Sequence, residues 1–147
     1  MATIAGVTSS PPLAEGGHLV MARELVSALR ECDHTAGLIV TPQNRFGRQA
    51  SAYLAARCTD VELAHEHRPI DQVISLRFPG FAVKHPKHVL WLNHRMREYY
   101  DLWDQFSAQL SWKGRLKERV RRAAIHRVDA YLFARMQRRF VISATVQ

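Results

Sequence analysis

DQVISLRFPGFAVKHPKHVLWLNH, residues 71–94, holds two short apolar runs separated by turn-forming residues. Val73–Ile74–Ser75–Leu76 is bounded by Asp71 before it and by Pro79–Gly80 after it. Val89–Leu90–Trp91–Leu92 follows the basic turn Lys84–His85–Pro86–Lys87–His88 and stops at Asn93–His94. Runs this short, punctuated on both sides, predict buried parallel strands rather than helices. Each ends in a polar turn, and open parallel sheets place their ligand crevices at the carboxyl ends of strands.

Upstream, Thr3–Thr8 predicts a first strand, broken by Ser9–Ser10–Pro11–Pro12 and followed by Gly16–Gly17. Leu19, Ala22, Leu25, Val26 and Leu29 then recur at helical spacing, which predicts an amphipathic helix over roughly His18–Glu31. Ala36–Thr41 is a second strand, closed by Pro42. A strand, loop, helix and strand in this order open a doubly wound fold with a right-handed crossover. Phe46–Cys58 has a helical pattern, and Val61–Ala64 predicts a short strand.

Downstream, Arg97–Leu110 predicts an aromatic helix whose Tyr99, Tyr100, Trp103 and Phe106 pack as core. Gly114 is a boundary, and a long helix follows over about Arg115–Arg138. Leu116, Val120, Ala123, Ala124, Val128, Tyr131 and Leu132 share one side of it; Arg115, Arg119, Arg122 and His126 share another. Phe140–Val141–Ile142 is a last strand that stops at Ser143. The expected fold is α/β, a Rossmann-like parallel sheet with helices on both faces, forming one domain over residues 1–147.

Apolar residues make up 47% of the chain and charged residues 23%, which excludes a disordered protein. The amino-terminal stretch lacks the basic and long apolar regions of a signal peptide. Two widely spaced cysteines, Cys32 and Cys58, imply no disulfide framework and a reducing, cytoplasmic setting. Residues 1–112 carry 11 Lys/Arg and 11 Asp/Glu, whereas residues 113–147 carry 10 Lys/Arg against Glu118 and Asp129. The whole net charge of +8 therefore lies after residue 112. Such a patch suits phosphate or an anionic membrane surface, and Arg115, Arg119 and Arg122 are the candidate contacts. A solvated helix surface is the ordinary alternative. Nucleic acid is not an expected partner, because no recognisable nucleic-acid-binding pattern accompanies the charge.

Gly16–Gly17 lies between a first strand and a first helix, where glycine permits φ > 0 and close approach of an anion to backbone N–H groups. Spacing alone favours a plain glycine turn there over a diphosphate cradle, since neither GxGxxG nor a Walker loop is present. His94 follows a buried strand directly. Its imidazole could meet a sugar hydroxyl or serve as acid or base, or simply begin the next helix; position does not separate these. His85, His88 and His94, like His65 and His67, lack metal-site spacing, so a solvated turn is the expectation and no metal is expected.

Taken in order, PPLAEGGHLVMARELVSAL, AGLIV, DQVISLRFPGFAVKHPKHVLWLNH, RMREYYDLW and RVDAYLFARMQRRFVISATV resemble the N-terminal half of a GT-B glycosyltransferase of the retaining family called group 1, or family 4. The segment from Asp71 to Trp103 carries the most specific part of that resemblance; the Gly-Gly loop is a weak motif. The resemblance implies an acceptor-side domain of an enzyme that moves a sugar from a nucleotide sugar to a glycan, lipid or small-molecule acceptor, with no metal or other cofactor. It implies that Gly16 and Gly17 lie near the donor diphosphate, that His94 contacts the transferred sugar, and that Ser143 closes the last strand beside the crevice. It also implies a donor-binding C-terminal domain absent from this chain, so that the chain is expected to be incomplete and inactive alone. The expected location is cytoplasmic, peripheral at the inner membrane face. A different class remains open: a non-catalytic Rossmann-like module that docks on acidic partners through its basic C-terminal helix.

Overall fold

The computed structural model describes residues 1–43, 47–64, 67–93, 95–136 and 138–141. Five strands form one sheet: β1 (Thr3–Ser10), β2 (Thr35–Pro42), β3 (Gln72–Ser75), β4 (His88–Leu92) and β5 (Arg138–Val141). All are parallel, in the order β2-β1-β3-β4-β5. The register pairs Thr3 with Thr35, Val7 with Ser75, Ser75 with Leu90 and Leu92 with Val141. Among the described residues four helices cover it: α1 (Gly17–Glu31), α2 (Gln49–Arg57), α3 (Trp103–Ala108) and α4 (Trp112–Ala134). The expected α/β Rossmann-like sheet is present. Among the described residues no helix is long and apolar enough to cross a membrane.

Alternation along β1 assigns the layers. Gly6 faces α1, and a Cβ there would stand 3.3 Å from Val26 Cγ2, so the missing side chain lets α1 lie close on the strand. Ala5 and Val7 face the other way and pack with Ala56, Val61, Val73, Ala82 and Val83. A second cluster joins Ala52, Phe78, Phe81, Leu90, Leu92 and Phe133, which seats the C-terminal end of α4 on the sheet. Its rings meet edge-on or tilted, as aromatic quadrupoles prefer: Tyr53–Phe78 at 4.9 Å and Phe81–Phe133 at 5.0 Å between centroids.

The sequence expectations fail at several places, each for a visible reason. Val61–Ala64 adds no strand to the sheet; Val61 is buried, and Leu63 makes only an isolated antiparallel bridge to Pro69. Gly114 is not a boundary. It lies in the first turn of α4, where its N–H donates to Oγ of the capping Ser111. The aromatic segment is not one helix but a 3-10 turn at Arg97–Tyr99 followed by α3. A continuous helix would need the Tyr99 carbonyl as an internal acceptor. Here that carbonyl accepts from Arg122 Nε at 2.9 Å and meets His126 Nε2 at 2.8 Å.

The fourth difference is the rotation of α4 about its axis. Leu116, Val120, Val128 and Tyr131 are exposed, while Glu118, Ile125, Asp129 and Phe133 are buried. The inward polar groups are matched. Tyr99 donates its hydroxyl to Glu118 Oε2 at 2.9 Å, and Arg121 pairs with the same carboxylate. Tyr100 donates to Asp129 Oδ2 at 2.6 Å, and Tyr53 donates to Asp129 Oδ1. The Tyr100 and His126 rings stack at 4.2 Å. Burial pushes the Asp129 carboxyl above the usual carboxylate range, against the pull of the two hydroxyls. Burial, with Asp129 beside them, pushes both the Tyr53 and Tyr100 hydroxyls up, so they remain donors.

His88 is likewise not part of a solvated turn. It is the first residue of β4, is buried, and its Nε2 lies 2.7 Å from Ser75 Oγ on the neighbouring strand. His85 is tied separately, by its Nδ1 to Lys87 and its Nε2 to the Ile70 carbonyl. Burial, and secondarily His85, lowers the His88 pKa from 6.5 to about 4.

Two outcomes are expected from these contacts. The unfolded chain binds a proton on His88 between pH 6.5 and about 4 that the folded chain does not. The contribution of His88 to stability is therefore full above pH 6.5 and falls by up to about 3 kcal/mol as pH drops through that window. Denaturant titrations should show this slope flattened in His88→Ala, which itself costs about 2 kcal/mol at neutral pH. On α4, Asp129→Ala should cost about 2–3 kcal/mol by leaving two buried hydroxyls unpaired. Val120→Ala should change stability by less than about 0.5 kcal/mol. The reverse ranking would mean that α4 buries its apolar side instead.

Candidate functional site

The strand order 2-1-3-4-5 reverses direction at β1, where the chain moves to β2 on one side and to β3 on the other. Such a switch point opens a crevice at the carboxyl edge. Backbone bonds clamp that edge. The Gln43 N–H donates to the Ser10 carbonyl at 3.1 Å, Leu76 to Val7 at 3.0 Å, and Asn93 to Leu76 at 3.0 Å. Ser9 is fully buried and donates its hydroxyl to the Phe78 carbonyl. Gly80 presses the following turn onto β1, since a Cβ there would lie 3.4 Å from the Thr8 carbonyl group.

Polar side chains follow three of the strands at this edge. Gln43 follows β2, Arg77 lies just beyond β3, and Asn93 follows β4. Gln43 Oε1, Arg77 Nε and Asn93 Oδ1 are each buried without a hydrogen-bond partner among the described residues. A buried polar atom left unpaired costs about 1–3 kcal/mol, so three together on one edge need a reason. Gln43 and Arg77 line a pocket of about 330 Å³ with Phe78, Arg95, Met96, Arg97, Glu98 and Leu102. Its walls carry three guanidiniums and one carboxylate; Arg97 is paired with Asp101 at 3.0 Å, and Arg77 and Arg95 are the cations suited to an anion. Burial lowers the Arg77 pKa, the mark of a cation taken out of water. Arg95 forms the wall nearest α4, its guanidinium 4.9 Å from the Tyr100 ring centre and 5.5 Å from that of Phe133.

The residues expected from sequence fall unevenly on this site. Gly16 and Gly17 do lie at the same edge, at the start of α1. Gly16 is extended, with φ −171° and ψ 165°, so it does not use the conformational freedom expected of it. Its N-cap position has no side-chain cap, and helix geometry leaves the Gly17 N–H without an intrahelical acceptor. A Cβ on Gly16 would stand 3.0 Å from His18 Nδ1, which gives a packing reason for glycine there. Neither glycine is among the described lining residues of the 330 Å³ pocket. His94 and Ser143 lie outside the described residues. So does His65.

Arg115, Arg119 and Arg122 do not form one outward face. Arg122 turns inward onto the Tyr99 carbonyl and lies 4.8 Å over the Trp103 ring. Arg115 donates to the Ser107 carbonyl at 3.2 Å, and Arg119 lines a shallow groove with it, Trp112 and Leu116. Among the described residues no three His, Cys, Asp or Glu side chains are grouped as a metal site would require. Sequence reasoning missed Gln43, Arg77 and Asn93. Each stands within two residues of a strand's carboxyl end, and that position was the available signal.

Comparison with known proteins adds no further assignment: no family model, no curated protein and no solved structure matches the chain.

Proposed function

We propose that the chain is the acceptor-side domain of a retaining glycosyltransferase that uses a nucleotide sugar. One observation carries the reading: at the carboxyl edge of a parallel sheet, half-buried Gln43 and Arg77 flank the switch point and line one pocket. Among the described residues Gln43 Oε1 and Arg77 Nε are buried and unbonded there, and Asn93 Oδ1 is buried and unbonded at the end of β4. An amide oxygen, a guanidinium and a second amide match the hydroxyls and the anionic groups that a sugar or sugar phosphate presents. The resemblance over Asp71–Trp103 supplies the reaction class, and the sheet order accords with it.

In this reading the crevice holds the acceptor and faces the donor. The N-terminus of α1 at Gly16–Gly17 and the arginines Arg77 and Arg95 favour negative charge as the nucleoside diphosphate departs. His94 and Ser143 keep the sugar-contacting and strand-closing roles that the resemblance implies. The acceptor is a glycan, a lipid or a small molecule, and the work is done in the cytoplasm.

Saturation-transfer NMR on the folded chain, with uridine and guanosine diphosphate sugars and with sugar phosphates as probes, tests this. At least one should bind. Arg77→Met should weaken that binding by about tenfold to a hundredfold, because it removes a charge-assisted contact. The same substitution removes an unpaired buried polar group, so the melting temperature should stay constant or rise by about 2–4 °C. If no probe binds the folded chain, the crevice is not a sugar or phosphate site and the reading loses the observation that carries it. If binding survives both Arg77→Met and Asn93→Ala, the crevice has been misplaced.

A further inference from the structure

The outward side of α4 has no use in the crevice, and it exposes a series of large apolar side chains. Trp112, Leu116 and Val120 follow one another at spacing four and are 73%, 59% and 66% exposed. Ala124 and Val128 continue the row, and Tyr131, 56% exposed, lies beside its far end. At spacing four an apolar row drifts slowly around a helix, so this one winds from solvent at Trp112 to the core at Leu132. A 23-residue helix is about 35 Å long, so the row is a ridge, not an isolated patch. Its apolar surface broadens sideways. Val128 and Tyr131 share a groove of about 670 Å³ with Leu54 of α2, itself 64% exposed.

The charges around the ridge are one-sided. Lys113, Lys117, Arg119 and Arg127 are exposed along α4. The acidic residues of α4, Glu118 and Asp129, are both buried and bonded to tyrosine hydroxyls. The outward side therefore offers hydrocarbon and positive charge with no carboxylate of its own helix between them. A second copy seated face to face would set these cations against their own kind, which opposes a symmetric dimer. A nucleic acid would neutralise the cations but leave a ridge of leucine and valine against phosphate. A bilayer rich in anionic lipid satisfies both halves. Acyl chains take up the ridge, headgroups meet the lysines and arginines, and long basic side chains reach upward from a helix sunk at the boundary. Trp112 and Tyr131, near the two ends of the helix, are the residue types that settle at such a boundary.

We infer that α4 docks flat on an anionic bilayer, with Trp112, Leu116, Val120, Val128 and Tyr131 entering the headgroup boundary and Leu54 of α2 beside them. Arg122, turned inward, takes no part. The inference is independent of what the crevice binds.

Cosedimentation of the 147-residue chain with vesicles tests it. One set contains phosphatidylcholine with phosphatidylglycerol, the other phosphatidylcholine alone. The chain should bind the anionic set, release it as salt is raised, and leave the neutral set largely unbound. Tryptophan emission should shift to shorter wavelength on binding, and Trp112→Phe should abolish that shift. Leu116→Glu with Val120→Glu should reduce binding by about tenfold or more. The melting curve of that double variant should stay unchanged, since both positions are exposed in the folded chain. The inference is overturned by failure to bind anionic vesicles. It is overturned equally by binding that the double glutamate variant leaves intact, or by a dimer in sedimentation equilibrium that this variant dissolves.

Discussion

The carbonyl of Tyr99 is the point on which the C-terminal third of the molecule turns. It accepts from Arg122 and meets His126, while the hydroxyl of the same residue donates to Glu118. Three residues of α4 thus grip one tyrosine that is wholly buried. A carbonyl engaged from outside cannot serve a helix of its own, which is why the aromatic segment breaks between Tyr99 and Trp103. The same grip fixes the rotation of α4. With Glu118, Arg122, His126 and Asp129 drawn inward, the apolar residues at 116, 120 and 128 have nowhere to go but out.

Burying carboxylates while exposing leucine and valine contradicts the usual partition, and the magnitudes explain how it survives. An unpaired carboxylate inside a protein costs several kcal/mol, but each one here receives tyrosine hydroxyls, and Glu118 also has Arg121. Exposing an aliphatic side chain forgoes only about 1.5–3 kcal/mol of burial. Once the polar groups are matched, the arrangement is affordable. Burial raises the Tyr99 pKa to about 12, so its hydroxyl remains a donor throughout the neutral range.

The strands were legible in the sequence because they are almost pure signal. Val73–Leu76 and Val89–Leu92 are continuous apolar runs with turn residues at both ends, and β3 and β4 fall there within a residue or so. The α1 helix was legible for the same reason, with Leu19, Ala22 and Val26 on its buried side. The phase of α4 was not. Its apolar and polar residues both recur at helical spacing, so periodicity finds the helix without saying which side faces the sheet. His88 was misread because its partner, Ser75, stands on another strand, and only the register of β3 with β4 brings them together. The crevice was legible as an edge and not as atoms. Arg77 reads as an ordinary charged residue after a strand until the fold closes over its Nε.

Crevice and ridge share structure at one residue. Arg95 lines the pocket beside Arg77, and its guanidinium also lies over the rings of Tyr100 and Phe133. Tyr100 in turn donates to Asp129 of α4 and stacks on His126, while Phe133 anchors α4 in the core with Phe81 and Leu92. The wall of the crevice is therefore carried on the inward side of the helix whose outward side forms the ridge. A surface that holds α4 in place holds Arg95 in place with it, through aromatic stacking and a buried carboxylate rather than through a flexible loop. A ligand in the crevice would then lie at a set height above whatever α4 rests on, and the orientation of the sheet edge follows from the rotation that Tyr99 imposes on that helix.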